Sequence, residues 1–400
     1  MVRRIMAGEV CAGCGATLQT EFPNQPGYAP AGALERPNPV CRRCFRISHY
    51  GEFTPVELPE ASYQAVVREA LAQADQIVYV LDVFDINGSL VPNLAALLAN
   101  RAVHLAVNKV DVLPAEVEPE ALRQWIRRVV ESAGVKVADV WFVSAATGSG
   151  IGELMDGLAH GDGTRVCVVG MANVGKSTLL NQLIRRSGPD AKPQFTTSRM
   201  PGTTLGMTRA KIVLQGGRTL TLMDTPGLIE GHRVTDFLCA DCLKATVPAT
   251  RLRPRVYQLD SGQTLFLGGF ARLDFESGAH QPVVCYVSND LVVHRTKLER
   301  ADAFWESHQD DLLQVPCAAC RARLGPLQPH RVWSDRARVN PGQRTADGLR
   351  IGRAGGDIVL PGLGWITLFG AAFAGRLYVP DGVVARVRPR LIGHVSRMDK

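Results

Sequence analysis

Five short signatures of nucleotide binding occur in this chain, in a rotated order. Asn108-Lys109-Val110-Asp111 and Ser144-Ala145-Ala146 come first. Gly170-Met-Ala-Asn-Val-Gly-Lys-Ser177 follows, then Pro201-Gly-Thr-Thr204 and Asp224-Thr-Pro-Gly227. An ordinary domain of this kind opens on its phosphate loop and carries the base-reading motif near its end. Here the set is complete but rotated, so the fold must join the old termini and break elsewhere. That predicts a circularly permuted P-loop GTPase domain.

The surrounding pattern supports such a sheet. Ile77–Asp82, Ala102–Val107, Val140–Val143, Arg165–Gly170, Ala210–Leu214 and Leu220–Met223 read as buried parallel strands. Periodic helical segments at 117–133, 150–159 and 176–186 lie between them. The alternation predicts a doubly wound α/β sheet, whose ligands bind outside the carboxyl ends of the strands. Each signature follows a strand or lies in a loop beside one. The bridge between the old termini falls at about 160–164, and the new break near Gly231.

The chemistry of the motifs is specific. Gly170, Val174, Gly175 and Thr178 frame a loop whose amides can curl around phosphates at a helix N-terminus. Lys176 would neutralise the β- and γ-phosphates, and Ser177 would ligand Mg²⁺. Asp224 should hold the same ion, directly or through water, and the Gly227 amide can meet the γ-phosphate. Thr204 sits where a first-switch threonine ligand of Mg²⁺ belongs; Thr203 is the competing choice. Asn108 and Asp111 address the base, Lys109 lies along its plane, and a backbone N–H of the Ser144-Ala145-Ala146 loop can meet guanine O6. A carboxylate at Asp111 suits guanine N1–H and N2–H₂ and rejects adenine, so the nucleotide is GTP or GDP. Leu228 stands where Ras-like proteins carry a glutamine that orients the attacking water. Asn173 is the position that supports potassium in several similar GTPases, where a cation stabilises charge on the transferring phosphoryl group; the alternative is that Asn173 only caps the loop.

The ends of the chain differ in character. Residues 1–55 carry Cys11-x-x-Cys14 and Cys41-x-x-Cys44 around a stretch poor in core-forming residues, which predicts a four-thiolate zinc finger. Arg42, Arg43, Arg46 and His49 flank its second pair, as in zinc knuckles that touch RNA; a plain fold staple is the other reading. Cys239-x-x-Cys242 and Cys317-x-x-Cys320 form a second site only if the fold joins them, while Cys167 and Cys285 sit in strand patterns and read as core. After the predicted GTPase domain, 56–232, residues 233–400 read as a β-rich α+β domain with one helix near 297–309. Lys and Arg balance Asp and Glu at 22 each over 1–230, but number 23 against 16 over 231–400, which together make the totals of 45 and 38. An arginine-rich excess of this kind suits an RNA-facing surface or an ordinary solvated one.

No apolar run reaches the roughly 18 uncharged residues of a membrane span. The N-terminus lacks the apolar core of a signal peptide. A cytoplasmic protein is expected, in which cysteines bind metal rather than pair.

With these residues in view the chain resembles the YqeH-type circularly permuted GTPases. The likeness rests on the four-cysteine finger, the motif order, Val78–Ser89, Pro254–Leu259, Gly268–Asp274 and Val293–Leu298. It implies GTP hydrolysis tied to assembly of the small ribosomal subunit through its rRNA or a ribosomal protein, with a C-terminal domain similar to RNA- or peptide-sensing modules. It also implies a hydrophobic residue in place of the catalytic glutamine, as at Leu228. The Cys239 and Cys317 pairs depart from the family pattern. Two other readings compete: a GTP-dependent regulator whose C-terminal domain senses a protein or peptide, and a zinc and RNA module with a vestigial nucleotide site. Intact Lys176, Ser177, Thr204 and Asp224 argue against the latter.

Overall fold

The computed structural model describes residues 9–12, 16–23, 25–50, 57–187, 208–214, 216–229, 231–337 and 348–392. Cys14 and the Pro201–Thr204 motif lie outside these, so the expectations placed on Cys14, Thr203 and Thr204 lie there too. The chain forms two compact units, residues 1–110 with 126–230, and residues 111–125 with 231–400.

The first unit is built on a sheet of six strands among the described residues: β1 (Gln76–Asp82), β2 (Val103–Asn108), β3 (Val137–Phe142), β4 (Arg165–Val169), β5 (Thr208–Val213) and β6 (Thr219–Asp224). Their order is β3-β2-β1-β4-β6-β5. All pairs are parallel except β5 with β6. Every residue of β1 is buried, as a strand covered on both faces requires. The chain winds outward from β1 to β3, then returns to place β4 on the other side of β1. That reversal is the topological switch point, where a doubly wound sheet binds its ligand. Register aligns Asp82 with Asn108, and Val168 with Asp224, so the motif residues emerge together at the carboxyl edge.

The strand expected at 210–214 is present but runs antiparallel at the sheet edge. Its connection to β6 is a tight turn through Gly216 and Gly217, both at positive φ, and so short a link cannot make a parallel crossover. The bridge between the old termini is staked from both sides. Asp75 accepts from the amides of Thr164 and Arg165, each at 2.9 Å, and from the Arg165 guanidinium at 2.6 Å. Arg218 donates to the carbonyls of Ala159, Gly161 and Gly163.

Near the N-terminus the described residues are joined by turn hydrogen bonds and by isolated bridges of Val10 with Thr17 and Gln19 with Tyr28, and helix α1 (Arg42–Tyr50) starts directly after Cys41. A short strand, Glu57–Pro59, then pairs in parallel with Gly227–Ile229, just past β6.

The second unit is β-rich, as expected. Val293–Lys297, Gln263–Leu267, Ala271–Gly278, Phe373–Pro380, Leu327–Ser334 and Leu349–Ile351 form one sheet, in that order. Arg386–Arg388, Gly356–Leu360, Gly364–Leu368, Gln281–Val287 and Arg255–Leu259 form another. Alternating burial along Phe373–Pro380 marks a strand with one face on the core. Phe270, Phe275, Phe373, Leu273 and Ile366 are among the residues that fill this core. The helix expected near 297–309 is a 3₁₀ turn, Leu298–Arg300, leading into an α-helix, Ala301–Ser307.

The stretch Gly268–Asp274 gains a physical role here. Arg272 grips Asp274 through two bonds of 2.7 and 2.8 Å, also pairs with Asp302, and stacks on Phe266 and Tyr378. Among the described residues no helix is long and apolar enough to cross a membrane.

Candidate functional site

The loop after β4 turns into helix α2 (Lys176–Arg186), with Gly170, Asn173 and Gly175 at positive φ. Gly175 is needed for space as well as conformation: a Cβ there would lie 2.3 Å from Asn108 Nδ2. That close approach lets Asn108 act as a clamp. Its Nδ2 donates to the Val174 carbonyl at 2.9 Å, and its Oδ1 accepts from the Ala145 amide at 2.9 Å. One buried carboxamide thus ties the base-reading, phosphate and Ser144-Ala145-Ala146 loops together. From α2, Gln182 and Arg186 donate to the carbonyls of Ala145 and Gly148 and fix that last loop. Of the backbone N–H groups in that loop, the Ala145 amide is engaged by Asn108.

Lys109, itself at positive φ, reaches the Asn173 carbonyl at 2.9 Å and pairs with Asp82. Asn173 is exposed. Asp111 sits in the 3₁₀ turn Val110–Val112. One of its carboxylate oxygens is buried with no hydrogen-bond donor, which leaves an acceptor for a ligand N–H.

Lys176 is 6% exposed, and its ammonium donates to the Gly170 and Met171 carbonyls at 3.0 and 2.7 Å. Ser177 is buried at the start of α2, and Thr178 is exposed. Gly227 packs against the phosphate loop so closely that a Cβ would lie 2.7 Å from the Ala172 Cα, while the Ala172 amide donates to the Leu228 carbonyl at 2.8 Å. The Leu228 side chain is buried and offers no polar atom to a water.

Asp224 ends β6 at 2% exposure. Its neighbour Thr225 anchors the turn by donating to the Val168 carbonyl at 2.7 Å. Burial pushes the Asp224 carboxyl above its ordinary pKa, against the opposing pull of Arg43 and Lys176. Its Oδ2 accepts from Arg43 at 2.6 Å, and its Oδ1 has no hydrogen-bond partner. A buried carboxylate with one oxygen orphaned, near a buried serine at a helix start, fits a hard dication with oxygen ligands.

Arg43 is the residue that sequence reasoning missed. The sequence places it with Arg42, Arg46 and His49 around the second cysteine pair, where contact with RNA and a plain fold staple are both open. Arg43 itself points inward from the finger, 5% exposed, onto the carboxylate expected to hold Mg²⁺. Arg42 stacks on Tyr28 and donates to the Pro23 carbonyl at 2.9 Å. The only available signal was position: an arginine between two clustered cysteines is held by both.

The finger thiols of Cys11, Cys41 and Cys44 lie within 4.8 Å of one another, and the Cys41 amide donates to Cys11 Sγ at 3.1 Å. The donor set suits zinc. Cys239, Cys242, Cys317 and Cys320 also converge within 4.8 Å. Cys167 and Cys285 are core residues whose thiols burial pushes up to about 12, which leaves them inert.

Comparison with known proteins matches this geometry. Residues 165–252 match the family described as 50S ribosome-binding GTPase, and residues 280–340 match YqeH-like, C-terminal. The chain is 38% identical to YqeH of Bacillus subtilis (strain 168) over 96% of its own length and 99% of that protein's. It is 25% identical to human nitric oxide-associated protein 1, covering 97% of this chain and 76% of that one. GTPase Der of Prosthecochloris aestuarii (strain DSM 271 / SK 413) is 30% identical over 41% of this chain and 37% of its own.

Proposed function

The chain belongs to the YqeH family and is a GTPase, and from that premise we propose that it is a GTP-hydrolysing switch of the cytoplasm acting in assembly of the small ribosomal subunit. The observation that carries the switch reading is the junction at Gly227. This glycine rests on the phosphate loop at Ala172, its strand pairs with Glu57–Pro59, and the chain beyond it enters the second unit. A change in γ-phosphate occupancy at such a glycine has a covalent path to whatever the second unit binds.

In this reading Lys176 neutralises the β- and γ-phosphates, Ser177 and Asp224 hold Mg²⁺ with Thr204, and Asp111 reads guanine. Asn108 acts through its clamp on both loops. The finger holds zinc through Cys11, Cys14, Cys41 and Cys44. Potassium at Asn173 supplies the charge stabilisation that Leu228 does not. Replacing Asn173 with Ala should abolish potassium stimulation of GTP hydrolysis while leaving nucleotide affinity nearly unchanged; stimulation that persists moves the ion elsewhere.

An RNA-facing second unit is supported by its surface. Arg233, Arg272, Arg331, Arg350, Arg376 and Arg388 spend their charge on nearby carboxylates. Arg251, Arg253 and Arg295 remain exposed, as does Lys297 beside Glu299 at 3.8 Å, and Arg295 donates to the Gln258 carbonyl, which brings the strands Val293–Lys297 and Arg255–Leu259 side by side. Cation groups that neutralise phosphates give steeply salt-dependent binding.

The test is co-sedimentation of the full-length protein with separated ribosomal subunits, in low and high salt, with GDP or a non-hydrolysable GTP analogue. Nucleotide-dependent, salt-sensitive association with the small subunit is expected. Association with the large subunit alone would replace the small-subunit assignment. Failure to bind either subunit in any state would favour the protein- or peptide-sensing regulator.

A further inference from the structure

Two Cys-x-x-Cys pairs far apart in sequence meet within the second unit. Cys239 precedes helix α3 (Ala240–Thr246), and Cys317 precedes helix α4 (Ala318–Leu324). In each pair the second cysteine lies on its helix and is buried. The two halves are related by an approximate twofold exchange. The Cys239 amide donates to Cys320 Sγ at 3.1 Å, and the Cys317 amide donates to Cys242 Sγ at 3.2 Å. Cys239 Sγ and Cys317 Sγ are 4.0 Å apart, and the thiols are unbridged.

These features select among the chemistries open to four cysteines. A disulfide needs sulfurs at about 2.05 Å, whereas tetrahedral zinc with Zn–S near 2.3 Å sets them at roughly 3.8 Å. Cys239 Sγ and Cys317 Sγ, 4.0 Å apart, are close to the second spacing, and all four Sγ atoms lie within 4.8 Å of one another. Amide donors aimed at sulfur treat it as an acceptor, the role of a thiolate rather than a thiol. Arg323 donates to Cys320 Sγ at 3.0 Å and brings a positive charge to a site that zinc and four thiolates would leave at net −2.

We propose that Cys239, Cys242, Cys317 and Cys320 bind one zinc ion, forming a structural tetrathiolate site in addition to the finger. Its four ligands leave no open position, so its role is to clasp and not to catalyse. What it clasps is the segment that follows the Asp224–Gly227 motif. Between Gly231 and α3 that segment is already sewn to the unit: the Val234 amide donates to the Pro361 carbonyl at 2.9 Å, and Thr235 abuts Gly362. The zinc site completes the seam by tying α3 to α4, which leads into the strand Leu327–Ser334.

Metal content of the full-length protein tests this. Purified wild type should carry two zinc ions per chain, released by a thiol-blocking mercurial in the presence of a chromogenic chelator. The paired variant Cys239→Ser and Cys317→Ser should carry one and keep GTP binding. Cobalt substitution supplies a second readout that does not depend on the variant's stability. Cobalt-loaded wild type should show the sulfur-to-cobalt charge-transfer absorbance of two tetrathiolate sites, and blocking the finger with Cys11→Ser should leave about half. One zinc per wild-type chain, with Cys239 and Cys317 reacting as free thiols in the native protein or recovered as disulfides, would overturn the proposal.

Discussion

The two cysteine clusters share thiol chemistry and differ in what surrounds them. The finger has almost no core of its own. Among the described residues its buried apolar cluster is Cys11, Leu18, Ala29, Leu34, Cys41 and Cys44, so half of it is cysteine. The second cluster sits on a unit whose core already holds Phe270, Phe275, Phe373 and many aliphatic residues. A segment too small to bury enough apolar surface depends on its metal to fold, whereas a well-filled domain uses a metal only to fix one seam. The same four thiols can therefore be a foundation in one place and a clasp in another.

The largest effect should come from the finger. Cys41→Ser removes one of the proposed zinc thiolates, immediately before α1, while leaving in place the backbone amide that donates to Cys11 Sγ. Hydrogen exchange should show protection lost across residues 9–50, while β1, β4 and β6 keep theirs. Retained protection in the finger would mean that Leu18, Ala29 and Leu34 suffice without metal. Cys320→Ser should cost less. The second unit should remain folded, with added exchange confined to α3, α4 and the 231–246 segment, and a stability loss within about 1–3 kcal/mol, the ordinary range of single substitutions. Global unfolding of the unit would erase the distinction between foundation and clasp.

The finger also reaches into the nucleotide site, which the second cluster does not do within its own unit. If Asp224 holds Mg²⁺ as proposed, the ion must compete with Arg43 for that carboxylate. Arg43→Ala removes a charge-assisted bond of about 1.5–3 kcal/mol, so the Mg²⁺ concentration for half-maximal GTP binding should fall by about tenfold, equivalent to 1.4 kcal/mol. An unchanged magnesium requirement would mean that the guanidinium leaves Asp224 at no cost, and the finger would be a staple only. Arg43→Lys should fall between the two, because a lysine supplies charge without the planar fork.

Much of this was legible because the signals are local. A glycine-rich loop between a strand and a helix, an aspartate ending a strand, and an asparagine at the next strand's end each carry their structural context in a few residues. The joins were not legible. Arg43 meets Asp224 across 181 positions, and nothing near either residue specifies the other. Each half of the second cysteine cluster was visible, but its closure depends on how the strands from 255 to 297 bring α4 back to α3. The antiparallel β5 was readable in principle, since Gly216 and Gly217 leave no room for a crossover. The engagement of the Ala145 amide by Asn108 depends on side-chain direction, which a motif does not encode.

A third staple, made without metal, sets the lower end of the comparison. Asp75 holds the bridge between the old termini through the Arg165 guanidinium and the amides of Thr164 and Arg165, and these partners, the guanidinium first, hold its carboxyl well below the usual carboxylate range. Its side chain is 25% exposed and that of Arg165 is 52% exposed, so water screens the pair and its contribution stays near 1 kcal/mol or less. A carboxyl with a depressed folded pKa stabilises fully above its unfolded value of 3.8 and loses that contribution as pH falls through the folded one. Asp75→Asn should therefore be less stable than wild type at pH 7, and the gap should close on acidification below about pH 4. Parallel urea titrations of the two proteins at pH 7, 4 and 2.5 would read it. A gap that persists undiminished at pH 2.5 would mean that the bridge is held by the hydrogen-bonding shape of Asp75 and not by its charge, since protonated Asp and Asn would then still differ.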